Sequence, residues 1–379
     1  MTSAAVTLPA PAAAARSSAR GFWAALVEFL LVGGVTIVLF PLAWGLRSLA
    51  GLDTAELAVG FLAFHAAYVI NDPHFAVTYL LFYRDVKNRA LGASYEPAQR
   101  VRYLVAGVVV PVVLAAWGIA GLASGSAHVL GWLFESMFLL VGWHYVKQGF
   151  GVLTVLSARR GVRFSPLERK AALAHCYAGW AYAWANPASA SKEVEEKGVV
   201  YRALAHPPAL ELVALVAFAL SSVALVAALW RKFRREGSLP FAPLAGFLIT
   251  IWFLTVYSSL DPLMVYVVPA LHSVQYLYFV WLLRRNQARE SEGPPAFGRP
   301  ASVQVGILAA SAIGLGWVLF HGAPEFLDTA FVPRSSSAAE TALGATPYFA
   351  TLFAFVNIHH YFMDTVIWRR ENPETRHLL

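Results

Sequence analysis

The stretch Val356-Asn357-Ile358-His359-His360-Tyr361-Phe362-Met363-Asp364 sets two imidazoles, an amide and a carboxylate inside an apolar run that ends at Trp368-Arg369-Arg370. Read as a helix, it returns Asn357, His360 and Asp364 to one face, because steps of three and four residues repeat the side-chain direction. His359 and His360 then point about 100° apart. Polar groups at this spacing in a hydrocarbon-buried helix face inward, toward a partner, an ion or water. Whether the rest of the chain is built for a membrane, and brings matching groups to the same depth, decides the fold.

Of the 379 residues, 58% are hydrophobic and 13% charged, about half the charged fraction of an ordinary soluble domain. Apolar runs recur at about residues 23–46, 55–83, 102–122, 127–156, 168–186, 207–230, 241–260, 262–283, 302–320 and 342–368. Each is long enough, or nearly so, to cross a core of about 30 Å as a helix. The expected fold class is all-α: a polytopic integral membrane protein of about ten transmembrane helices.

Loop charge agrees with an even number of spans. Alternate loops hold Arg84, Lys87, Arg89, Arg100 and Arg102; Arg159, Arg160, Arg163, Arg169 and Lys170; Arg231, Lys232, Arg234 and Arg235; and Arg284, Arg285, Arg289 and Arg299. The opposite loops carry little beyond Arg47, Arg334 and the group Lys192, Lys197 and Arg202, which Glu193, Glu195 and Glu196 offset. Such a bias places the basic loops and both termini in the cytoplasm. The expected division is a disordered cytoplasmic tail over 1–20, a single transmembrane helical domain over 21–370 and a cytoplasmic tail over 371–379, in a bacterial inner membrane. The net charge of +7 is a topology signal on this reading, and no nucleic-acid partner is expected.

A single cysteine, Cys176, excludes disulfides within the chain and thiolate metal clusters, leaving nitrogen and oxygen as metal donors. Four spans that run in the same direction carry histidine in a polar setting. His74 lies ten residues before Arg84, His144 fifteen before Arg159, His272 twelve before Arg284, and His359 and His360 ten and nine before Arg369. At about 1.5 Å per residue these sit roughly 14 to 22 Å from the basic edge, a shared layer inside the membrane.

In the second span His65 and Asp72 are seven apart and expected on one face, while a kink at Pro73 would swing His74 round to join them. In the fourth, Gln148 is placed to hold the second nitrogen of His144, Lys147 can snorkel to the headgroups, and Glu135 is a more distant carboxylate. In the eighth, Ser273, Gln275 and Tyr276 accompany His272. The candidate metal ligands are His65, Asp72, His74, His144, His272, His359, His360 and Asp364. Glu135, Gln148, Gln275, Asn357, Tyr68, Tyr276 and Tyr361 are candidates for support or catalysis. His128, His206 and His321, near the outer span ends, and His377 read as surface residues. His175, on a span that runs the other way, is left out. So many nitrogen and oxygen donors exceed the needs of one zinc and favour two metal ions.

Asn357-Ile358-His359-His360, with a polar residue ahead of a histidine pair, resembles the last histidine box of the membrane-embedded di-iron desaturases and hydroxylases. Asp72-Pro73-His74 and Trp143-His144 are more faintly similar to membrane carotene-cleaving oxygenases. The chain lacks a box with two histidines four or five residues apart. The resemblance implies two iron ions and the use of dioxygen to hydroxylate, desaturate or cleave a lipophilic substrate drawn from membrane lipid. A separate electron-donor protein would then be required, since no loop resembles a flavin or nicotinamide site. An intramembrane zinc hydrolase with one zinc, acting on a lipid or peptide, a haem held by His144 and His272, and a proton-coupled transporter are the alternatives.

Overall fold

The computed structural model describes residues 21–185, 193–259, 263–332 and 343–379. The expected tail over 1–20, and Lys192 and Arg334 of the charge pattern, lie outside the described residues.

Among the described residues each apolar run holds at least one helix. The first holds two helices, α1 (Gly21–Gly34) and α2 (Thr36–Ala50), bent by 51°. The bend falls at Gly33, whose φ of 126° is open to glycine and strained for any side chain. Next come α3 (Leu52–Tyr83) and a short helix α4 (Val86–Leu91) in the basic loop. The order continues with α5 (Pro97–Ser124), α6 (Ala127–Arg159), α7 (Pro166–Ala185) and α8 (Pro208–Glu236). Last are α9 (Phe241–Val256), α10 (Met264–Glu292), α11 (Ala301–Phe331) and α12 (Pro347–Ile367). Between α7 and α8 an antiparallel hairpin pairs β1 (Glu193–Glu196) with β2 (Val199–Arg202), and Tyr201 packs it onto Phe134 of α6.

By length and composition α3, α5, α6, α8, α10 and α11 can cross a membrane, and the bent pair makes seven if it is one span. Their outward faces are apolar: Leu57, Phe61 and Leu62 on α3, and Leu212, Val223 and Val226 on α8, are exposed. This is the build of a helical membrane protein. Of the other apolar runs, α9 is shorter, and α12 has 21 residues that include Asn357, His359, His360 and Asp364.

Three helices contain a wide π turn just ahead of a proline: Ala67–Asn71 before Pro73 in α3, Val105–Val109 before Pro111 in α5, and Val318–Gly322 before Pro324 in α11. Proline has no N–H, and its ring collides with the carbonyl four residues back. A π turn reaches five residues back instead, as Asp72 N does to Ala67 O, and so admits one extra residue. This carries α3 through Pro73 as one helix. It corrects the shared face of His65 and Asp72: His65 is exposed and Asp72 buried, since one extra residue rotates the helix beyond it by about 100°.

The buried helix α12 packs against α3, α5 and α6, and α10 packs against α3 and α11, so the four histidine-bearing helices surround a common interior. Residues 371–379 are docked rather than free. A 3₁₀ turn at Pro373–Leu378 is held by Arg89 pairing with Glu374, by Asn286 donating to His377 O at 2.7 Å and by Arg159 donating to Leu378 O at 2.7 Å.

Candidate metal centre

Four buried histidines converge from four helices: His74 from α3, His144 from α6, His272 from α10 and His360 from α12. His144 is the hub. Its Nε2 stands 2.9 Å from His272 Nε2 and 3.3 Å from His360 Nε2. One ring nitrogen from each of His74, His144 and His360 lies within 4.8 Å of the other two. Nitrogens bound to one ion at about 2.0–2.1 Å would be about 3.3 Å apart in a tetrahedron and about 2.9 Å apart at neighbouring octahedral positions. The separations at His144 fit the edges of such a shell.

Hydrogen bonds fix at least one ring for this task. Ser273 Oγ donates to Asn71 Oδ1 at 3.1 Å, so its oxygen accepts from His74 Nδ1, also at 3.1 Å. His74 therefore carries its proton on Nδ1 and leaves a lone pair on Nε2, which is buried and has no partner among the described residues. A metal-binding imidazole is usually oriented in this way by its other nitrogen. His272 Nδ1 and His360 Nδ1 are likewise buried without partners among the described residues.

Asp364 closes the cluster one helical turn beyond His360. Its Oδ2 lies 3.4 Å from His360 Nε2 and 3.7 Å from His144 Nδ1. Its Oδ1 accepts from Tyr276 OH at 2.7 Å and from Trp368 Nε1 at 3.3 Å. Tyr276 gives its proton to Asp364, and Thr78 Oγ1, whose hydroxyl also donates to His74 O at 3.3 Å, stands 2.6 Å from the Tyr276 oxygen. Aromatic rings wall the histidines: Tyr361 stacks on His144 at 4.8 Å, and Tyr145 lies 4.2 Å from His272.

No protein-family profile, curated protein or solved structure matches the chain. The chemistry of the site is read from its own residues.

The other candidates stand elsewhere. His65 bonds to Phe61 O on the exposed side of α3. Asp72 pairs with His321 Nε2 at 2.8 Å, and Tyr68 stacks on the same His321 ring at 4.1 Å, so His321 joins a buried carboxylate rather than the surface. His359 turns away from its neighbour: its Nδ1 meets Tyr79 OH at 3.0 Å and its Nε2 meets Ala106 O at 3.0 Å. Because a carbonyl only accepts, the His359 proton sits on Nε2, Tyr79 donates to Nδ1, and no lone pair remains for an ion.

Gln148 does not reach the second nitrogen of His144. It donates to His272 O at 3.1 Å and to Gln275 Oε1 at 2.7 Å, and Gln275 in turn donates to Val32 O at 2.6 Å. This amide chain braces α10 against α6 and α1. Asn357 accepts from Tyr361 OH at 3.0 Å and so steadies the ring stacked on His144. Glu135 accepts from Leu204 N at 3.3 Å, outside the cluster.

Thr78, Ser273 and Trp368 complete the site without having been singled out as site residues by the sequence. Thr78 follows His74 by four residues and Trp368 follows Asp364 by four. The same-face rule that gathered Asn357, His360 and Asp364, extended one turn along α3 and α12, reaches both.

Proposed function

We propose that the chain is a membrane-embedded oxidoreductase built on a histidine-held iron, using dioxygen to hydroxylate, desaturate or cleave a lipophilic substrate. The observation that carries this reading is the buried grouping of ring nitrogens of His74, His144 and His360 within 4.8 Å of one another, with His272 Nε2 2.9 Å from His144 Nε2 and His74 Nε2 left as a free lone pair. Neutral imidazole with one carboxylate suits iron. A catalytic zinc keeps three protein ligands and one open position; the aromatic Tyr276, Trp368 and Tyr361 around this group favour a redox metal. The grouping supports one ion in place of two, since His65, Asp72 and His359 hold other partners. It also disfavours haem: opposite axial nitrogens on one iron stand about 4 Å apart, and His144 and His272 are closer than that, at 2.9 Å.

Bound iron would supply dioxygen activation. The chain's own residues hold the His74 tautomer and keep a Tyr276 proton directed at Asp364. The alternation of basic loops supports ten spans with both termini cytoplasmic, and electrons come from a separate donor protein.

Elemental analysis with a visible spectrum of protein purified without chelator tests the reading. About one iron per chain and no haem band is expected. Stoichiometric zinc without iron moves the assignment to hydrolysis. Metal-free protein overturns both and leaves the histidines as a proton path.

A further inference from the structure

A cavity of about 800 Å³ runs from the cluster to the basic end of the bundle. At its inner end are His144, Tyr276 and Asp364, all buried. It follows α6 from Trp143 to Ala158, a length of about 22 Å. Phe150, Val155, Phe279 and Leu378 give it apolar walls. Gly151 lines it seven residues beyond His144, and a Cβ built there meets nothing within 4 Å, so this point of the wall faces open space.

The mouth is cationic. Arg163, Arg169 and Arg370 line it and are exposed, and among the described residues none of them has a carboxylate partner. Glu371, the acidic residue at this end, pairs with Arg369 at 3.7 Å. Lys147, one turn from His144, carries its Nζ to within 5.8 Å of the Phe150 ring, further along the channel. A long apolar channel with unpaired cations at one end and a metal-ligand cluster at the other fits one ligand chemistry.

We propose that the cavity binds an amphiphile with an anionic head, the head held by Arg163, Arg169 and Arg370 and the hydrocarbon reaching toward His144 and Asp364. The proposal rests on the metal-centre reading only for which end is transformed, the end remote from the charge. Ligand binding does not require that the cluster be loaded.

The test is equilibrium binding of tritiated palmitate, hexadecyl phosphate and hexadecanol to the full chain in phosphatidylcholine nanodiscs, with metal content measured on the same samples. An anionic head should bind about tenfold more tightly than the alcohol, a preference that shrinks as salt rises. Whichever of the carboxylate and the phosphate binds more tightly names the head group. R163Q/R169Q/R370Q should erase the preference, and Gly151→Phe should abolish binding of all three ligands while leaving metal content unchanged. Equal affinity for alcohol and acid, or unaltered binding in Gly151→Phe, overturns the proposal. Metal-free protein that still binds palmitate through the arginines would refute the iron reading and leave this one standing.

Discussion

The Nε2 atoms of His144 and His272 approach to 2.9 Å although the residues are 128 positions apart in the chain. At that distance a proton or a cation must lie between two lone pairs that would otherwise repel. His144 Nε2 faces His360 Nε2 as well, and a single proton on His144 cannot serve both. A cation held by His74, His144 and His360, whose ring nitrogens lie within 4.8 Å of one another, would remove that conflict.

Metal removal should therefore loosen the fold. A ligand present at a thousand times its dissociation constant stabilises the native state by about 4 kcal/mol. Thermal unfolding in detergent, with and without prolonged chelation, should show a clearly lower midpoint for the stripped protein, and coincident curves would count against a resident ion.

Neighbouring histidines should behave differently. His144→Ala, His272→Ala and His360→Ala should lose the metal, measured by elemental analysis. His359→Ala should keep it while destabilising the protein by about 1–3 kcal/mol, because Tyr79 OH and Ala106 O lose their buried partner. Metal loss in His359→Ala would place that ring among the ligands.

Asp364→Asn preserves shape and removes charge beside His144 and His360. Outer partners of metal-binding imidazoles are typically worth 10–100-fold in metal affinity. Competition against a chelator of known strength should show a fall of about that size, and unchanged affinity would reduce Asp364 to a packing group.

Tyr276→Phe strips Asp364 Oδ1 of its closest donor and leaves Thr78 Oγ1 without its 2.6 Å partner. A stability loss of about 1–3 kcal/mol is expected, with Trp368 Nε1 still bonded to the carboxylate. Denaturant titration of the two proteins measures the loss directly.

Gly316→Val should push α11 away from α3. A Cβ at Gly316 would fall 2.8 Å from the backbone carbon of Asp72, where no flexible side chain can yield. Overpacking of this kind costs about 1–3 kcal/mol, and the midpoint of thermal unfolding should fall accordingly.

The level of the site was legible because depth is a matter of counting residues to a charged edge, and the count needs no tertiary information. It put His74, His144, His272 and His360 in one layer, and the structure brings those four together. Which of His359 and His360 faces inward was not legible: adjacent residues diverge by about 100°, and only the positions of Tyr79 and Ala106 decide it. His65 and Asp72 share a face only under a regular period, which the π turn at Ala67–Asn71 breaks. The Asp72–His321 pair joins helices far apart in sequence, and nothing local to either residue announces it.

The spare residue in the Ala67–Asn71 turn makes it a place where chain length can change without moving the centre. Deleting Val69 would let α3 close into regular α-helix with His74 still on its present face, because the wide turn already absorbs the extra residue. The same deletion in a regular stretch of the helix would instead turn everything beyond it by about 100°. Two chains that align at all four histidines can thus differ by one residue just ahead of Asp72-Pro73 and still bring the same rings together.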